Sequence, residues 1–517
     1  MILWEIKDTS PVVRNNILVT SNNGESNSLM GVRILGRCAH RSQDAGLPKI
    51  QALPGSCEFV AQGAQETVAH NQTTLFGMVR LLEIRMNILV TGASGFIASQ
   101  IVTDLLATGH TVTCCVRNVT YTQKLFPSAN IIPCDFTHDN ISTIWIKRLK
   151  NIDLVINCVG ILYHPNKKVI WNIHYHTPKA LFDACVLVGI KKVIQISALG
   201  IEQAHVAYAA SKKAADDYLL TLPFTAIILR PSLVYGRGSY GGTSLFRGLA
   251  GLPWITPVPG KGQQEFQPIH IEDLSRAIIK LIEQPPQHSV IFSAVSVKKT
   301  NLATVLTLLR AWLGFAQSKL IFIPLWLIRI GAFWGDMIPN SVLNTNSYKL
   351  LIENNITSQE ETEKFHNAIG FLPREFTSGV YSQPSAVQDR YHARLYFLKP
   401  ILKFSIAFIW LFTALCCLFF YPRSASYSLL AQIGVNELWQ PILFYGACIL
   451  DASIGGALLL NIQVKKVGLL QLIIIVLYSG LLTWRLPSLW FEPFAPLAKN
   501  IPLLAAILVS MALEDER

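Results

Sequence analysis

The sequence predicts an α/β protein in which a doubly wound parallel sheet is followed by an α-helical transmembrane bundle. Three observations lead to this prediction. A glycine-rich turn joins a strand to a helix at residues 86–100, strand and helix patterns alternate from there to about residue 300, and long apolar runs fill the region after residue 396. Strands that alternate with helices form parallel sheets, whereas apolar runs of about 20 residues fit a bilayer core.

The glycine-rich turn has the sequence MNILVTGASGFIASQ and begins at Met86. Residues 87–91 form a short apolar run bounded by glycine, which is typical of a buried strand. Gly92, Gly95 and Ala98 follow at three-residue spacing and open into a helical pattern. Such a turn leaves backbone N–H groups at the positive end of a helix, where a diphosphate binds. The spacing therefore indicates a dinucleotide-binding turn.

Composition limits the other classes of function. The 517 residues are 51% hydrophobic and only 15% charged, and the formal net charge is +12. No basic block with interleaved aromatic residues is present, so we expect an anionic membrane surface and not nucleic acid as the partner. The ten cysteines form no CxxC pair and no zinc-like spacing with histidine, which predicts no metal site and a reduced, cytoplasmic main domain.

Residues 1–85 differ from the rest of the chain. They are rich in Asn, Ser, Gln and Gly and lack the basic start and apolar centre of a signal peptide. Two interpretations stay open for them. Either Met86 is the true start and the upstream residues are a mis-assigned extension, or they form a disordered leader.

Residues 86–300 are expected to form the nucleotide-binding domain. Apolar runs predict strands, in chain order, at Asn87–Thr91, Thr111–Val116, Asn130–Cys134, Asp153–Cys158, Lys192–Ser197 and Thr225–Leu229. Helical patterns at Pro178–Val188 and Val206–Leu220 lie between them. A ligand of such a sheet binds at the carboxyl ends of its strands.

Residues 301–395 predict a helical lobe on the substrate side. Its apolar run from Leu320 to Met337 contains Arg329 and Asp336 and is bracketed by Pro324 and Pro339. The charges and prolines favour part of the lobe or an interfacial helix over a membrane span.

Residues 396–517 predict a four-helix membrane domain. Three apolar runs have nearly the length needed to cross a bilayer: Phe404–Tyr421, Ile442–Leu460 and Val467–Trp484. The fourth, Ile501–Leu513, is shorter, and if it does not cross, the domain has three spans and one partial span. Basic residues cluster before the first run and between the second and third, which directs the large domain and the C-terminus to the cytoplasm. Asp451 lies within the second run, where a carboxylate is costly, and is either functional or bonded within the bundle.

Three residues are candidates for proton transfer. Tyr208 and Lys212 are four positions apart and so lie on one helix face, and an ammonium beside a phenol is expected to lower the phenol pKa. Ser197, at the end of the preceding strand, is placed to bond the same substrate oxygen. These catalytic candidates suit hydride transfer to or from a nicotinamide.

Six short sequences resemble the short-chain dehydrogenase/reductase superfamily in their order. They are TGASGFIA (91–98), NCVG (157–160), ISALG (196–200), YAASK (208–212), RPSLVYG (230–236) and FQPIHIEDL (266–274). The last is typical of the extended and atypical branch, in a style similar to the nucleotide-binding accessory subunit of respiratory complex I and its bacterial relatives. The resemblance covers about residues 86–375, and the tail resembles a DoxX-like membrane domain.

The resemblance implies a set of cofactor-binding residues. The pyrophosphate would be held by Gly92, Ser94, Gly95, Phe96 and Ile97. Asp135 and Phe136 would contact the adenine. Val159 and Gly160 would line the path to the nicotinamide ribose, and Pro231 and Ser232 would border the nicotinamide. Tyr208 and Lys212 would also bind the ribose, and His270 would be a structural hydrogen-bonding residue.

The end of the second strand bears on cofactor choice. Selection of NAD usually needs an acidic residue there for the ribose 2′-hydroxyl, and this strand is followed by Arg117 and Asn118. A guanidinium suits a 2′-phosphate, so the sequence favours NADP(H) over NAD(H).

The sequence leaves three functions open. The first is a membrane-anchored NAD(P)(H)-dependent oxidoreductase acting on a carbonyl or alcohol, with a small lipophilic substrate such as a quinone-like or polyprenyl compound. The second is a non-catalytic, NADPH-loaded assembly or sensor subunit of a membrane complex. The third is an NAD-dependent epimerase or dehydratase. In each case we expect a multi-pass protein of a bacterial inner membrane with its nucleotide-binding domain in the cytoplasm.

Overall fold

A computed structural model describes residues 85–203, 206–239, 241–336 and 343–514 of the chain. The predicted N-terminal extension, except for its last residue, lies outside these ranges. In the described ranges the strands are β1 (Asn87–Thr91), β2 (Thr111–Val116), β3 (Asn130–Pro133), β4 (Leu154–Asn157), β5 (Lys192–Ile196), β6 (Thr225–Pro231), β7 (Val234–Tyr235), β8 (Ile255–Pro259), β9 (Glu265–Phe266), β10 (Ile269–His270), β11 (Val290–Ala294), β12 (Thr300–Asn301) and β13 (Lys319–Ile323).

Helices alternate with these strands and then continue alone. The first nine are α1 (Phe96–Ala107), α2 (Val119–Leu125), α3 (Ser142–Arg148), α4 (Lys167–Trp171), α5 (Thr177–Val188), α6 (Ala207–Leu220), α7 (Gly242–Ala250), α8 (Ile271–Glu283) and α9 (Leu302–Trp312). The later ones are α10 (Leu325–Gly335), α11 (Thr345–Ile352), α12 (Gln359–Ile369), α13 (Phe376–Val380), α14 (Val387–Leu415), α15 (Arg423–Gln432), α16 (Gln440–Leu459), α17 (Val464–Arg485) and α18 (Asn500–Leu513).

The central sheet is parallel and has the strand order β11-β6-β5-β4-β1-β2-β3. Successive residues of β1 point to opposite faces, so Ile88 and Val90 enter one hydrophobic core and Leu89 enters the other. Both faces are therefore covered by helices, which explains why these strands are continuous apolar runs. The predicted α/β class and doubly wound sheet are confirmed.

The predicted strand positions agree with the structure to within one or two residues at each end. The edge strand β11, which pairs with β6, was not among the predicted strands. Its sequence, VIFSA, is short and ends in small residues, which weakens the strand signal.

The apolar run at 320–337 is not one helix. Its first part is β13, which pairs in parallel with β8, and Pro324 then precedes α10. The expectation of a single helix was wrong here because Ile321, Phe322 and Ile323 favour a strand and the proline separates the two elements.

Three helical segments of the tail are long and apolar enough to cross a membrane among the described residues: Val387–Phe420, Gln440–Leu459 and Val464–Arg485. The fourth expected helix is present as α18, but its 14 residues are shorter than a span. The described bundle therefore matches the predicted fallback of three spans plus one partial. Asp451 lies half-buried in α16.

The helix that contains the first span begins among the helices that precede the membrane bundle. α14 starts at Val387, and its early residue Ala393 belongs to the buried core that includes Phe246 of α7 and Phe376 of α13. The same helix then continues past the expected boundary at residue 396 into the membrane bundle. A continuous helix thus joins the two parts.

Candidate functional site

The glycine-rich turn has the geometry of a phosphate cradle. Gly92 has φ +68°, and a Cβ atom there would lie 3.0 Å from Cγ2 of Val159. The Gly95 N–H donates to the Gly92 carbonyl at 2.8 Å, and α1 begins after Gly95 without a side-chain cap. Ser94 and Gly95 are exposed. The turn therefore presents a helix N-terminus to a ligand, as a pyrophosphate requires.

Arg117 lies beside this cradle at the end of β2. β2 pairs with β1 in the register Thr91 with Cys115, so Arg117 follows at the same edge of the sheet. Its side chain is exposed and forms no hydrogen bond or ion pair within the described ranges. The next residue, Asn118, caps α2 by accepting the Tyr121 N–H at 3.0 Å. The position thus offers a cation to an anionic group of the ligand.

Asp135 and Phe136 follow β3 and differ in what they present. The Asp135 carboxylate accepts the Thr137 N–H at 2.9 Å and its hydroxyl at 2.7 Å. Burial opposes ionisation, but these hydrogen bonds hold the pKa of Asp135 below its ordinary value. The Phe136 ring is buried against Trp145 in an edge-to-face contact of 5.5 Å. The ring of Phe136 therefore belongs to the core, and Asp135 is the side chain that faces outward.

Tyr208 and Lys212 lie together on α6, next to the loop that follows β4. The Lys212 ammonium is buried, donates to the Ile196 carbonyl at 3.0 Å and lies 6.0 Å from the Tyr208 ring centroid. A Cβ atom on Gly160 would approach the Lys212 Nζ to 3.3 Å. A glycine at position 160 therefore lets this loop pass close to the ammonium.

The electrostatics of this pair differ from the expectation. Burial, with the charge of Asp216, raises the pKa of Tyr208. Burial lowers the pKa of Lys212, and the Asp216 carboxylate opposes that shift. The predicted lowering of the tyrosine pKa was therefore wrong, because desolvation outweighs an ammonium held at this distance. Tyr208 is a neutral phenol at neutral pH.

Ser197 is held by a buried carboxylate. Its buried hydroxyl donates to Asp216 at 2.7 Å, and the same carboxylate oxygen accepts from Arg230 Nε at 3.0 Å. Arg230 also pairs with Glu202 at 2.9 Å. The described contacts thus place Ser197 in a buried ionic network and do not join it to Tyr208. Asp216 lies four residues after Lys212, which is the spacing that reveals it on the same helix face.

Sequence reasoning also missed His174. Its Nε2 accepts the Ile161 N–H at 3.1 Å, so Nδ1 carries the proton and donates to the Ser211 hydroxyl at 2.9 Å. The ring meets Tyr208 edge to face at 5.3 Å. His174 follows α4 in a π-helical turn, and no motif spacing relates it to residue 208. It supports both the loop after β4 and the candidate tyrosine.

Pro231 ends β6, and Ser232 links it to the C-terminal lobe. The Ser232 hydroxyl donates to the Asn355 carbonyl at 2.9 Å, while the Asn355 amide donates to the Leu199 carbonyl at 3.0 Å. His270 caps α8 by accepting the Glu272 N–H at 3.4 Å, in agreement with a structural role. Asn355, which the sequence did not single out, therefore connects the lobe to the ends of two sheet strands.

The fold and the cradle define a nicotinamide-dinucleotide-binding α/β protein attached to apolar membrane helices. Residues 88–292 match the model of the NAD dependent epimerase/dehydratase family, and residues 407–508 match that of the DoxX-like family. The chain thus matches a model of each family over a separate part of its length, which confirms the resemblance to an extended short-chain dehydrogenase/reductase fused to a DoxX-like domain.

Similar proteins were found by sequence and by structure. Ceramide reductase of Caulobacter vibrioides (strain NA1000 / CB15N) is 24% identical over 198 residues, which are 38% of this chain and 61% of that protein. The chain therefore matches about three fifths of the length of this curated relative. Among solved structures, MoeE5 in complex with UDP-glucuronic acid and NAD has a TM-score of 0.45 and 18% identity, covering 57% of this chain and 97% of its own. The epimerase Mth375 from Methanothermobacter thermautotrophicus has a TM-score of 0.48 and 13% identity, covering 62% and 95%.

Proposed function

We propose that this protein is a membrane-anchored reductase that transfers hydride from a nicotinamide dinucleotide to the carbonyl carbon of a lipophilic substrate. The observation that carries the proposal is the pair of a half-buried Tyr208 and a buried Lys212 beside Gly160, at the edge of the sheet that holds the glycine-rich turn. A proton donor is needed there because the carbonyl oxygen gains negative charge as its carbon receives hydride.

The residues present fit a dinucleotide. The turn at Gly92 and Gly95 would accept a pyrophosphate at the start of α1, and Gly160 leaves space beside Lys212, where a Cβ atom would lie a tight 3.3 Å from the ammonium. When bound, the nicotinamide supplies the hydride. Lys212 would hold the nicotinamide ribose, as the resemblance implies for this position.

The protonation states favour reduction over oxidation. Because burial keeps Tyr208 neutral, its hydroxyl is a proton donor at neutral pH. The nearby Lys212 ammonium stabilises the phenolate that remains after donation. His174 supports the tyrosine ring from the side and keeps the loop after β4 in position. Reduction of a carbonyl needs a neutral tyrosine as the proton donor and an ammonium beside it, and Tyr208 and Lys212 supply them.

Arg117 supports a preference for NADP(H) over NAD(H). An exposed guanidinium at the end of β2 suits a ribose 2′-phosphate. In Arg117→Asp, the Kd for NADPH should rise at least tenfold while that for NADH changes little. Lys124→Asp on α2 makes the same change in charge nearby and is the control. Equal effects of both substitutions on NADPH would contradict a specific phosphate contact.

The membrane domain and the curated relative favour a lipid substrate. A domain tethered to the bilayer meets lipid-soluble carbonyl compounds at high local concentration, and the relative is a reductase named for ceramide. We therefore expect a long-chain lipid carbonyl and not a sugar nucleotide.

The basic residues of the bundle support a cytoplasmic location for the α/β domain. Lys399 donates to the Leu513 carbonyl at 2.7 Å, and Lys403 pairs with Glu514 at 3.5 Å, next to Asn461. The start of the first span, the turn after α16 and the end of α18 thus meet on the face that carries the α/β domain. By the positive-inside rule this face is cytoplasmic, in a bacterial inner membrane.

Deuterium transfer tests the reductase. The purified protein in mild detergent is incubated with total membrane lipids and NADPH deuterated at C4, and the lipids are analysed by mass spectrometry. We expect deuterium in a lipid alcohol. Tyr208→Phe should keep dinucleotide affinity within about threefold and lower the transfer at least a hundredfold. Tyr218→Phe, on the same helix but bonded to Asp183, is the control and should stay active.

Two other outcomes would overturn the reductase. Tight NADPH binding without deuterium transfer, together with stably copurifying subunits, would support the non-catalytic alternative, which the bonding of Ser197 to Asp216 favours. An isomerised or dehydrated product without net NADPH consumption would support an epimerase or dehydratase.

A further inference from the structure

The outer face of α10 is more apolar than the face it turns inward. Ala332 and Gly335 face the protein, whereas Trp326, Phe333 and Trp334 are 64%, 63% and 61% exposed. These positions recur at helical spacing, so they form one face. Together with Ile330 of the same helix, Phe322 of β13 and Trp254 just before β8, they define an aromatic patch: Trp254, Phe322, Trp326, Ile330, Phe333 and Trp334. A group of exposed aromatic side chains on neighbouring elements, in which the rings of Phe333 and Trp334 lie 6.1 Å apart, is typical of an interaction site.

One end of the aromatic patch lies beside the helix that enters the bilayer. Gly251 packs against Ala393 of α14, where a Cβ atom on the glycine would approach the alanine Cβ to 2.9 Å. Trp254 follows three residues later, is 84% exposed, and accepts the Lys319 N–H of β13 at 3.3 Å. Lys399, which donates to the Leu513 carbonyl of the bundle, follows Ala393 in the same helix by less than two turns, so this end of the patch lies near the start of the bundle.

The other end of the patch lies beside the candidate catalytic site. The Asp336 carbonyl, at the end of α10, accepts the Tyr163 hydroxyl at 3.4 Å. Tyr163 is three residues after Gly160, which contacts Lys212. The aromatic patch therefore extends from the membrane helix to the loop that borders the Tyr208–Lys212 pair.

The composition of α10 matches an interfacial helix. Tryptophan and phenylalanine concentrate at the level of lipid headgroups, and basic side chains flank them. α10 contains one charged residue, the exposed Arg329, and no acid. Acyl chains suit the exposed aromatic side chains, and an anionic headgroup suits Arg329, so we take the lipid bilayer and not a protein partner as the occupant of this surface.

We propose that the aromatic patch inserts into the cytoplasm-facing leaflet of the bilayer that α14 crosses, and that a lipid substrate enters the catalytic site along it. The second half rests on the proposed reductase. The first half is a statement about lipid contact and does not depend on turnover. α10 would thus attach the protein to the membrane at a second point besides α14. This contact would hold the entrance of the catalytic site next to the membrane surface.

Quenching by brominated lipid tests the insertion. The full-length protein is reconstituted in phosphatidylcholine and phosphatidylglycerol vesicles, with or without bromine in the acyl chains, and intrinsic fluorescence is compared with that of W254F/W326F/W334F. The difference in emission between the wild type and this variant reports the three tryptophans. This difference should fall at least twofold when brominated lipid replaces normal lipid. Trp145→Phe is the control, because Trp145 is buried in the α/β core and its lost emission should be unquenched.

The outcomes separate insertion from the proposed function. If the three tryptophans emit equally in normal and brominated vesicles, the patch does not contact lipid and the proposal is wrong, whether or not the protein reduces a carbonyl. If they are quenched and deuterium transfer is absent, the insertion stands and the reductase fails. NADPH binding by the variant verifies its fold, and Trp326→Phe alone replaces the triple variant should that binding be lost.

Discussion

The pH dependence of stability should report the buried His174. Its ring is 2% exposed, and burial together with the Lys212 charge lowers its pKa well below 6.5. A proton on Nε2 would face the Ile161 N–H, which that atom accepts in the native state. The folded protein therefore keeps His174 neutral in mildly acidic solution, while the unfolded chain binds a proton below about pH 6.5.

The sign and size of the effect follow from this difference. Since the unfolded state binds more protons, the free energy of unfolding falls as pH falls. One histidine that stays neutral in the folded state lowers it by about 2 kcal/mol between pH 8 and pH 5. His174→Gln retains an acceptor and a donor but cannot titrate. The variant should therefore lose about 2 kcal/mol less than the wild type over this range. His110 and His270, whose pKa values burial also lowers, contribute to the slope in both proteins.

Pulse proteolysis in urea measures this difference on the intact protein in detergent. The free energy of unfolding of the α/β domain is obtained from pH 5 to pH 8 for the wild type, His174→Gln and His176→Gln. His176 is the control, since its ring is exposed in the same turn. Equal pH slopes for the wild type and His174→Gln would refute the reasoning, as would a flatter slope for His176→Gln.

Three further substitutions test the site and its support. Gly92→Ala should cost about 1–2 kcal/mol through its positive φ and weaken dinucleotide binding at least tenfold by calorimetry, whereas Gly189→Ala, at φ +78° with open space around it, should affect stability alone. Arg374→Met should lower the unfolding free energy by about 3 kcal/mol in urea, because Asp273 is buried and loses a contact of 2.8 Å. Arg374→Lys should recover part of that loss; full stability of the methionine variant would contradict the role of the pair. Ser197→Ala should lower stability by about 1–2 kcal/mol but turnover less than tenfold, since its hydroxyl serves a buried carboxylate. A hundredfold loss of turnover with unchanged stability would instead assign Ser197 to catalysis.

Local signals were sufficient for the fold of the α/β domain. Glycine at position 92 and the apolar run of β1 are dictated by backbone geometry and burial within a few residues of each other, so the turn could be predicted from spacing. The same holds for Tyr208 and Lys212, which one helix face brings together. Spacing indicates which side chains share a face, and it carries no information on how deeply they are buried.

The parts that were missed depend on contacts distant in sequence. His174 reaches Ser211 across 37 positions, and the pKa of Tyr208 is set by burial that only the folded chain creates. Ser197 directly follows β5, one residue beyond the end of the observed strand, and the carboxylate that binds it lies 19 residues further on. Hydropathy alone also could not divide the run at 320–337, because strand and helix segments were equally apolar.

The continuous helix α14 has a mechanical consequence. Its 29 residues span about 43 Å, and its first turns pack on α7, where Tyr396 covers Gly248. Pro400 interrupts the backbone ladder of this rod near the bilayer boundary. In a thinner bilayer the membrane-spanning part of α14 must tilt. Either α14 then bends at Pro400, or α7 is displaced together with the start of α14. A truncated form intended to be soluble must keep α14 at least through Tyr396, or it will lose part of its own core.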